Sequence, residues 1–578
     1  MTNFLNHYTL KYTPLSPIHI GTDDSYEPTN YVIDDGTLYE FDSGGAASGL
    51  SASDRTELSK IVSKPDAQML KAVQKFFYER REALKPWAIN AIPVLDGVAR
   101  FYGNRVGQTA NHESGGAVIN NLEINRCAYN PINRQPVLFG SSIKGAIRTA
   151  LLSHINNDKP LQQTTDRRTG RSRKENNLEL QQRLLQFRAG KFELDPMRLV
   201  QIGDATWVER DNLPKAQICM TVNRKKHRVV DDHGNERLSQ SETKQSLNKL
   251  LECVPAWRYR AFAAQLNLQV VNSIKSTASA SKLPENKLCF SMEEIAKICS
   301  KFYLPKLKAE IELLRDRGFI DKNWDQNIQN LLSAMTDKII KGNVFLLRVG
   351  RHSGAESVTL NGERVRNIKI LEGKDPVTKK QNFSFDDKTK TLWLAAHSKD
   401  QRTDLLPFGW LLVEVEPINS ALNECSVLAE LCDSQHNEAR LWADKQAQQK
   451  TSMEERRREA DEHRKQDELK RHQQAEIAAQ AEQARLAKEQ ADQQRLANLS
   501  PIEQDIETFL KPIQAQDHDT RLLQELEKGR WQNNDARVVA EKIKALMEQA
   551  GKWMPDFAGD NKQKVKLKQR SQKVLAYL

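Results

Sequence analysis

The stretch from Ile418 to Ser500 contains neither proline nor glycine, although Pro417 and Pro501 bound it on either side. These two residue types are the strongest local punctuators of a chain, so a run without them can continue as one helix but cannot turn back into a compact core. Residues 451–500 are rich in Glu, Arg, Lys, Gln and Ala, and large apolar side chains, among them Leu469, Ile477, Leu486 and Leu496, are few. A coiled coil needs apolar positions sustained over several heptads, and these are too sparse. Residues 418–500 are therefore expected to be a charged helical or disordered linker held by i, i+4 charge pairs. Beyond it, 501–578 reads as a small helical domain whose core is drawn from Leu522, Leu523, Leu526, Trp531, Val539, Ile543 and Met547.

The part before Pro417 has the pattern of an α+β protein. Tyr8, Leu10 and Tyr12 alternate with polar residues, as do Ile218, Met220 and Val222, and the run from Phe262 to Val270. Period-two alternation marks half-buried strands. Hairpins are expected at Asp35-Gly36, at Asp96-Gly97 and at Asn361-Gly362, where such dipeptides interrupt apolar runs. Further strands are expected at Val344–Val349, Leu392–Leu394 and Trp410–Val413. Ile143, Ile147, Leu151 and Ile155 form one helical face, and Met69 to Leu84 another. The stretch Met292 to Lys341 is helical in pattern and reads as an insertion. Interleaved strands, helices and short hairpins imply antiparallel sheets rather than a βαβ series. The expected division is a core in 1–275, a helical insertion in 276–342 and a β-rich completion of the core in 343–417.

Composition removes several classes of function. No apolar run approaches the roughly 20 residues needed to cross a bilayer. The N-terminal MTNFLNHYTLKYTPLSP has neither the basic nor the apolar region of a secretory leader. Seven cysteines without a C-x-x-C pair fit a reducing cytoplasm and no zinc knuckle. With 87 Lys+Arg against 76 Asp+Glu, the net charge of +11 permits a nucleic-acid partner without requiring one.

Three glycine-bearing loops could carry chemistry. In the first, Gly140-Ser141-Ser142-Ile143-Lys144-Gly145-Ala146-Ile147-Arg148 places glycine and serines where a strand gives way to a helix. Ser141 or Ser142 could cap that helix, and its amides with Lys144 and Arg148 would suit an anion. The glycine spacing is that of a P-loop, but Ala146-Ile147 stands where Lys-Ser/Thr is required, which disfavours ATPase chemistry. In the second, Gly350-Arg351-His352-Ser353-Gly354, a turn combines amides, a guanidinium and an imidazole. A nucleophile elbow would need serine where His352 stands. In the third, His19 lies near Asp23 and Asp24. Two basic clusters suit phosphates: Arg224, Lys225, Lys226 and Arg228 with His227, and Arg167, Arg168, Arg171, Arg173 and Lys174. The second of them could equally be a disordered surface loop. No cluster has metal-ligand spacing, and no cofactor is expected.

These runs resemble a known superfamily. Leu15-Ser16-Pro17-Ile18-His19-Ile20-Gly21-Thr22 looks like the start of a RAMP protein of type III CRISPR systems. Gly140 to Arg148 is similar to that superfamily's Gly-Ser-Ser-x-Lys-Gly-x-x-Arg signature. Asp195-Pro196-Met197-Arg198, Gly203-Asp204 and Leu347 to Gly354 resemble the fifth-subunit family of Csm effectors. The resemblance covers roughly residues 8–417 and does not extend to 418–578. It implies ferredoxin-like, RRM-related units and a crRNA-binding structural subunit that caps the crRNA 3′ side and supports crRNA maturation and antiviral defence. The implied partners are the crRNA and the backbone RAMP subunits, with target RNA or a processing nuclease beside them, and no membrane. RNA contacts are expected at Gly140, Ser141, Ser142, Lys144, Gly145, Arg148, Arg224, Lys225, Lys226, Arg228, Gly350, Arg351, His352 and Ser353. The alternative is a metal-independent endoribonuclease processing repeat RNA, for which His19, Asp23, Asp24 and His352 are the catalytic candidates. A further reading makes 418–578 a docking arm for another protein.

Overall fold

The structure is a computed structural model describing residues 4–27, 29–63, 69–108, 122–166, 168–188, 190–238, 248–270, 283–362, 365–366, 368–417 and 421–578. The chain forms two units, Met1–Ala460 and Asp461–Leu578.

The first unit contains, in chain order, the strands β1 (Leu5–Pro14), β2 (Gly21–Tyr26), β3 (Tyr31–Asp34), β4 (Thr37–Glu40), β5 (Asn90–Pro93), β6 (Ile124–Cys127), β7 (Val137–Leu138), β8 (Gln163–Thr165), β9 (Ser172–Lys174) and β10 (Val200–Ile202). They continue as β11 (Ala205–Trp207), β12 (Gln217–Lys225), β13 (Asn248–Cys253), β14 (Phe262–Gln269), β15 (Val344–Arg348), β16 (Ile368–Lys374), β17 (Gln381–Asp386), β18 (Thr391–Ala396) and β19 (Trp410–Pro417). The principal helices are α1 (Met69–Glu79), α2 (Asp96–Gly103), α3 (Gly140–Asn156), α4 (Asn177–Leu185), α5 (Met292–Asp316), α6 (Lys322–Ile340) and the first part of α7 (Asn437–Ala497).

The larger sheet has seven strands in the order β15-β19-β1-β14-β11-β7, with β10 also on β14, and all its pairs are antiparallel. The second sheet runs β18-β12-β13-β6-β2 and is antiparallel except between β13 and β6. Mixed α+β architecture with antiparallel sheets is thus what the alternation implied. The strands read at Tyr8–Tyr12, Ile218–Val222, Phe262–Val270 and Val344–Val349 all lie in these two sheets.

The main core lies between the larger sheet and helices α3, α5 and α6. Ile143, Ile147 and Leu151 of α3 meet Ile295, Phe302 and Leu307 of α5, with Leu331 and Met335 of α6 in the same cluster. The segment read as an insertion therefore supplies part of the central packing layer. Helix α5 begins at a capping box in which the Ser291 hydroxyl and the Glu294 carboxylate each satisfy the other's amide.

Two of the expected hairpins are not formed. Asp35-Gly36 does turn β3 into β4, both residues having positive φ, 48° and 71°. Asp96-Gly97 instead opens α2, whose Val98 and Tyr102, four apart, are both buried. Asn361-Gly362 is a docking turn: the Asn361 amide donates to Ser153 Oγ at 3.0 Å, and Gly362 lies against the Asp158 carbonyl. The nearby hairpin is β16–β17, which turns at Asp375–Lys380. The second basic cluster is the β8–β9 hairpin, with Arg168 and Arg171 exposed and Arg173 held bidentately by Glu179. Arg167 lies outside the described residues.

Residues 437–460 of α7 lie on the first unit: Trp442 Nε1 donates to Thr37 Oγ1, Lys445 pairs with Asp35, and Arg457 stacks over Trp87. The remainder of α7 is solvated, with pairs such as Arg485–Glu482. In the second unit, α8 (Pro501–Leu510), α9 (His518–Glu527), α10 (Asn533–Gln549) and α11 (Lys562–Leu575) enclose Leu522, Trp531, Val539, Ile543 and Val574. Among the described residues no helix is long and apolar enough to cross a membrane.

Candidate nucleic-acid interface

Helix α3 is seated by three distant segments. Phe139 is its N-cap and offers no side-chain acceptor, so neither Ser141 nor Ser142 caps it. The cap is supplied in trans: the Gly140 amide donates to Asp204 Oδ1 at 2.7 Å. A Cβ on Gly140 would lie 2.6 Å from the Ile202 carbonyl oxygen and 2.7 Å from that of Gly203, so only glycine fits this crossing. Arg148 Nη1 donates to Asp195 Oδ2 at 3.0 Å, and its Nε to Gln181. The runs Asp195–Arg198 and Gly203-Asp204 therefore seat α3, and Gly140 and Arg148 are scaffold.

Ser141, Lys144 and Gly145 have no such explanation. Ser141 and Gly145 are exposed, and nothing would meet a Cβ at Gly145 within 4 Å. A glycine inside a helix costs about 1 kcal/mol relative to alanine, and no packing contact here requires it. Lys144 is half-buried, and burial lowers its pKa, opposed by Asp195 and reinforced by Arg148.

The Gly350 loop is fixed against the His19 loop. The Arg351 amide donates to the His19 carbonyl at 2.8 Å, and a Cβ on Gly350 (φ 80°) would lie 2.5 Å from that same oxygen. His352, at φ 66°, stacks on Trp393 with ring centroids 4.7 Å apart, and Ser353 is buried. Arg351 alone points outward, donating to Asn125 Oδ1 at 2.8 Å. Tyr303 links the two regions, its hydroxyl lying 3.1 Å from the Ala146 carbonyl and 3.5 Å from that of Ser357.

The two histidines are brought together, but in surroundings that suit no proton shuttle. His19 is fully buried and donates through Nδ1 to the Glu252 carbonyl at 2.7 Å. Among the described residues the Nε2 atoms of His19 and His352 have no hydrogen-bond partner. Burial, then the Arg351 charge, His19 and Lys249, pushes the pKa of His352 down to about 3. Asp23 and Asp24 are exposed on β2, where Asp24 lies 3.4 Å from Arg126 and accepts from the Ser25 amide.

The basic cluster after β12 divides in the same way. Arg224 is buried and donates to the carbonyls of Asn223, Lys399 and Gln401, and burial lowers its pKa to about 10. Lys226 pairs with Glu356 at 2.7 Å. Lys225 is half-exposed and Arg228 exposed.

The β16–β17 hairpin was not singled out by the sequence reading. Leu371 pairs with Phe383 and Lys369 with Phe385, so these four share one face of the ribbon. Phe383 is 49% exposed, Phe385 55% and Leu371 62%. The two rings meet edge-to-face at 5.7 Å, and Lys369 Nζ lies 3.9 Å over the Phe383 ring. Lys374, Lys379 and Lys380 are exposed around the turn. The signal was available as Phe-x-Phe after Lys-Lys. The base of the hairpin joins the other elements through Thr389, whose amide and hydroxyl both donate to Glu356.

Among the described residues no group of His, Cys, Asp and Glu is placed to hold a metal ion. No family model matches the sequence, and no curated protein does. Solved structures that resemble it include the following two. "Crystal structure of T.onnurineus Csm5" is 14% identical, covers 70% of this chain and 99% of that one, and has a TM-score of 0.35. "Cryo-EM structure of Csm-crRNA-target RNA ternary complex in type III-A CRISPR-Cas system" gives 15%, 71%, 100% and 0.38.

Proposed function

We propose that the protein is a crRNA-binding structural subunit of a type III CRISPR effector of the Csm type. The observation that carries RNA binding is the β16–β17 face: two exposed phenylalanines flanked by lysines. Exposed aromatic rings on a strand stack bases without regard to sequence, and lysines beside them neutralise the backbone. The signature from Gly140 to Arg148 supports the assignment to the RAMP superfamily. Its unexplained positions, Ser141, Lys144 and Gly145, are those assigned to the ribose-phosphate strand, with Arg351, Lys225 and Arg228. Gly145 then serves close approach of the strand to the helix backbone. Gly140, Arg148, Arg224, Gly350, His352 and Ser353 hold the fold behind them.

The mixed α+β architecture with its mainly antiparallel sheets supports a reading as ferredoxin-like RAMP units in 1–275 and 343–417 of a cytoplasmic complex. Backbone RAMP subunits and target RNA are the partners proposed with the crRNA. The buried, low-pKa His352 and the enclosed His19 offer nothing to the endoribonuclease alternative.

The test is binding of single-stranded RNA to the full chain by fluorescence anisotropy. Stacking contributes about 1–3 kcal/mol per base, so F383A/F385A should weaken binding about ten-fold or more. Stability should change by no more than about 0.5 kcal/mol because both rings are exposed. Unchanged affinity would remove the platform and the proposal with it.

A further inference from the structure

Helix α11 in the second unit carries six cations, Lys562, Lys564, Lys566, Lys568, Arg570 and Lys573, and no acid. The remainder of 501–578 is close to neutral and slightly acidic, so the positive charge of this unit is gathered on one helix. Lys562, Lys566, Gln569 and Lys573, at i, i+4, i+7 and i+11, form an exposed stripe about 16 Å long. Two of the six are engaged elsewhere: Lys573 pairs with Glu527 at 2.6 Å and Arg570 donates to Thr520 at 3.1 Å. Lys564 lies 5.6 Å over the Phe557 ring, and Asp556 and Asp560 precede the helix.

Most of the apolar side of α11 is turned inward: Val574 is fully buried in the core of the unit and Val565 and Leu567 are half-buried, leaving Leu575 exposed at its C-terminal end. A helix that lies in a membrane surface needs an exposed apolar face, and here the outward stripe is lysine and glutamine. Gathered cations without an apolar partner surface complement a dense line of phosphates.

We propose that α11 is a second nucleic-acid contact, binding the phosphate backbone without reading bases. This contact is independent of the reading given for the first unit.

The experiment measures the salt dependence of binding of the full chain to a fluorescein-labelled single-stranded RNA of unstructured sequence, with the matching DNA strand in parallel. The variant replaces Lys562, Lys564, Lys566 and Lys568 by Gln. A control replaces Lys465, Lys470, Arg471 and Lys488 of α7 by Gln, removing equal charge. Each phosphate contact on a single strand contributes about 0.7 to the slope of log K against log salt. Of the four α11 lysines, Lys562 and Lys566 share the exposed stripe, so the α11 variant should lose about 1.4 from that slope, and between 50 and 200 mM salt the unaltered chain should lose about 7-fold more affinity than the variant. The control should keep the original slope. An unchanged slope in the α11 variant, or equal losses in variant and control, would overturn the proposal. F383A/F385A lowers affinity at constant slope, so failure of the stacking platform and failure of α11 are read separately.

Discussion

Glu252 illustrates how much a single buried side chain can set. It is 6% exposed on β13, and its carboxylate accepts from the Cys127 amide at 3.0 Å and from the Tyr26 hydroxyl at 3.1 Å. Burial raises its pKa to about 7, against the lowering effects of the Cys127 amide and Arg126. The unfolded chain binds this proton only below about 4.5, so the fold favours the protonated form. The stabilisation is complete below pH 4.5 and is lost as pH rises through about 7, an effect of about 3 kcal/mol. Glu356, held down near 2 by Lys226 against burial, works in the opposite sense, but its stabilisation is lost only as pH falls from 4.5 towards 2. In E252Q the titration is gone. The stability of E252Q relative to the unaltered chain should therefore rise between pH 5 and pH 8, measured by urea unfolding at each pH. A difference that stays flat would show that Glu252 ionises normally.

At the scale of elements, helix α3 separates two kinds of glycine that look alike in sequence. Gly140 is wedged against the Ile202 and Gly203 carbonyls, whereas Gly145 faces open space. G140A should lower stability by about 1–3 kcal/mol, and G145A should raise it by about 0.5–1 kcal/mol. Thermal unfolding of the two variants checks both signs, and RNA binding of the more stable G145A should be weaker. Sequence alone placed this helix and the strand before it, because its isoleucine stripe has one period and one buried side. It did not reveal that Asp204 caps the helix or that Asp195 holds Arg148, since both contacts join segments far apart in the chain. The same limit explains the hairpins. Asp35-Gly36 turns because both residues adopt left-handed backbone between paired strands. At Asp96-Gly97 the turn dipeptide loses to Val98 and Tyr102, whose spacing buries one helical face, and to the His397 carbonyl against which Gly97 packs.

For the whole molecule, the first part of the proline- and glycine-free stretch belongs to the first unit, with Cys425, Leu428 and Cys432 in its main core, and the small helical unit beyond the stretch encloses a core of its own. Less legible was that Met292–Ile340 belongs at the centre of the first unit, because an amphipathic helix pattern does not name the surface it covers. The candidate interface was legible in its glycines and cations but not in its aromatic platform, which became visible only when Phe383 and Phe385 were found exposed on one face. The proposed RNA strand contacts the β16–β17 hairpin, the Gly350 loop and the first turn of α3. Ultraviolet crosslinking of the full chain to bound crRNA, followed by mass spectrometry of the adducts, tests this most directly. Adducts should map to Phe383 and Phe385, with others at Lys144 and Arg351. Crosslinks confined to other surfaces, with none in 140–148, 350–354 or 368–386, would contradict it.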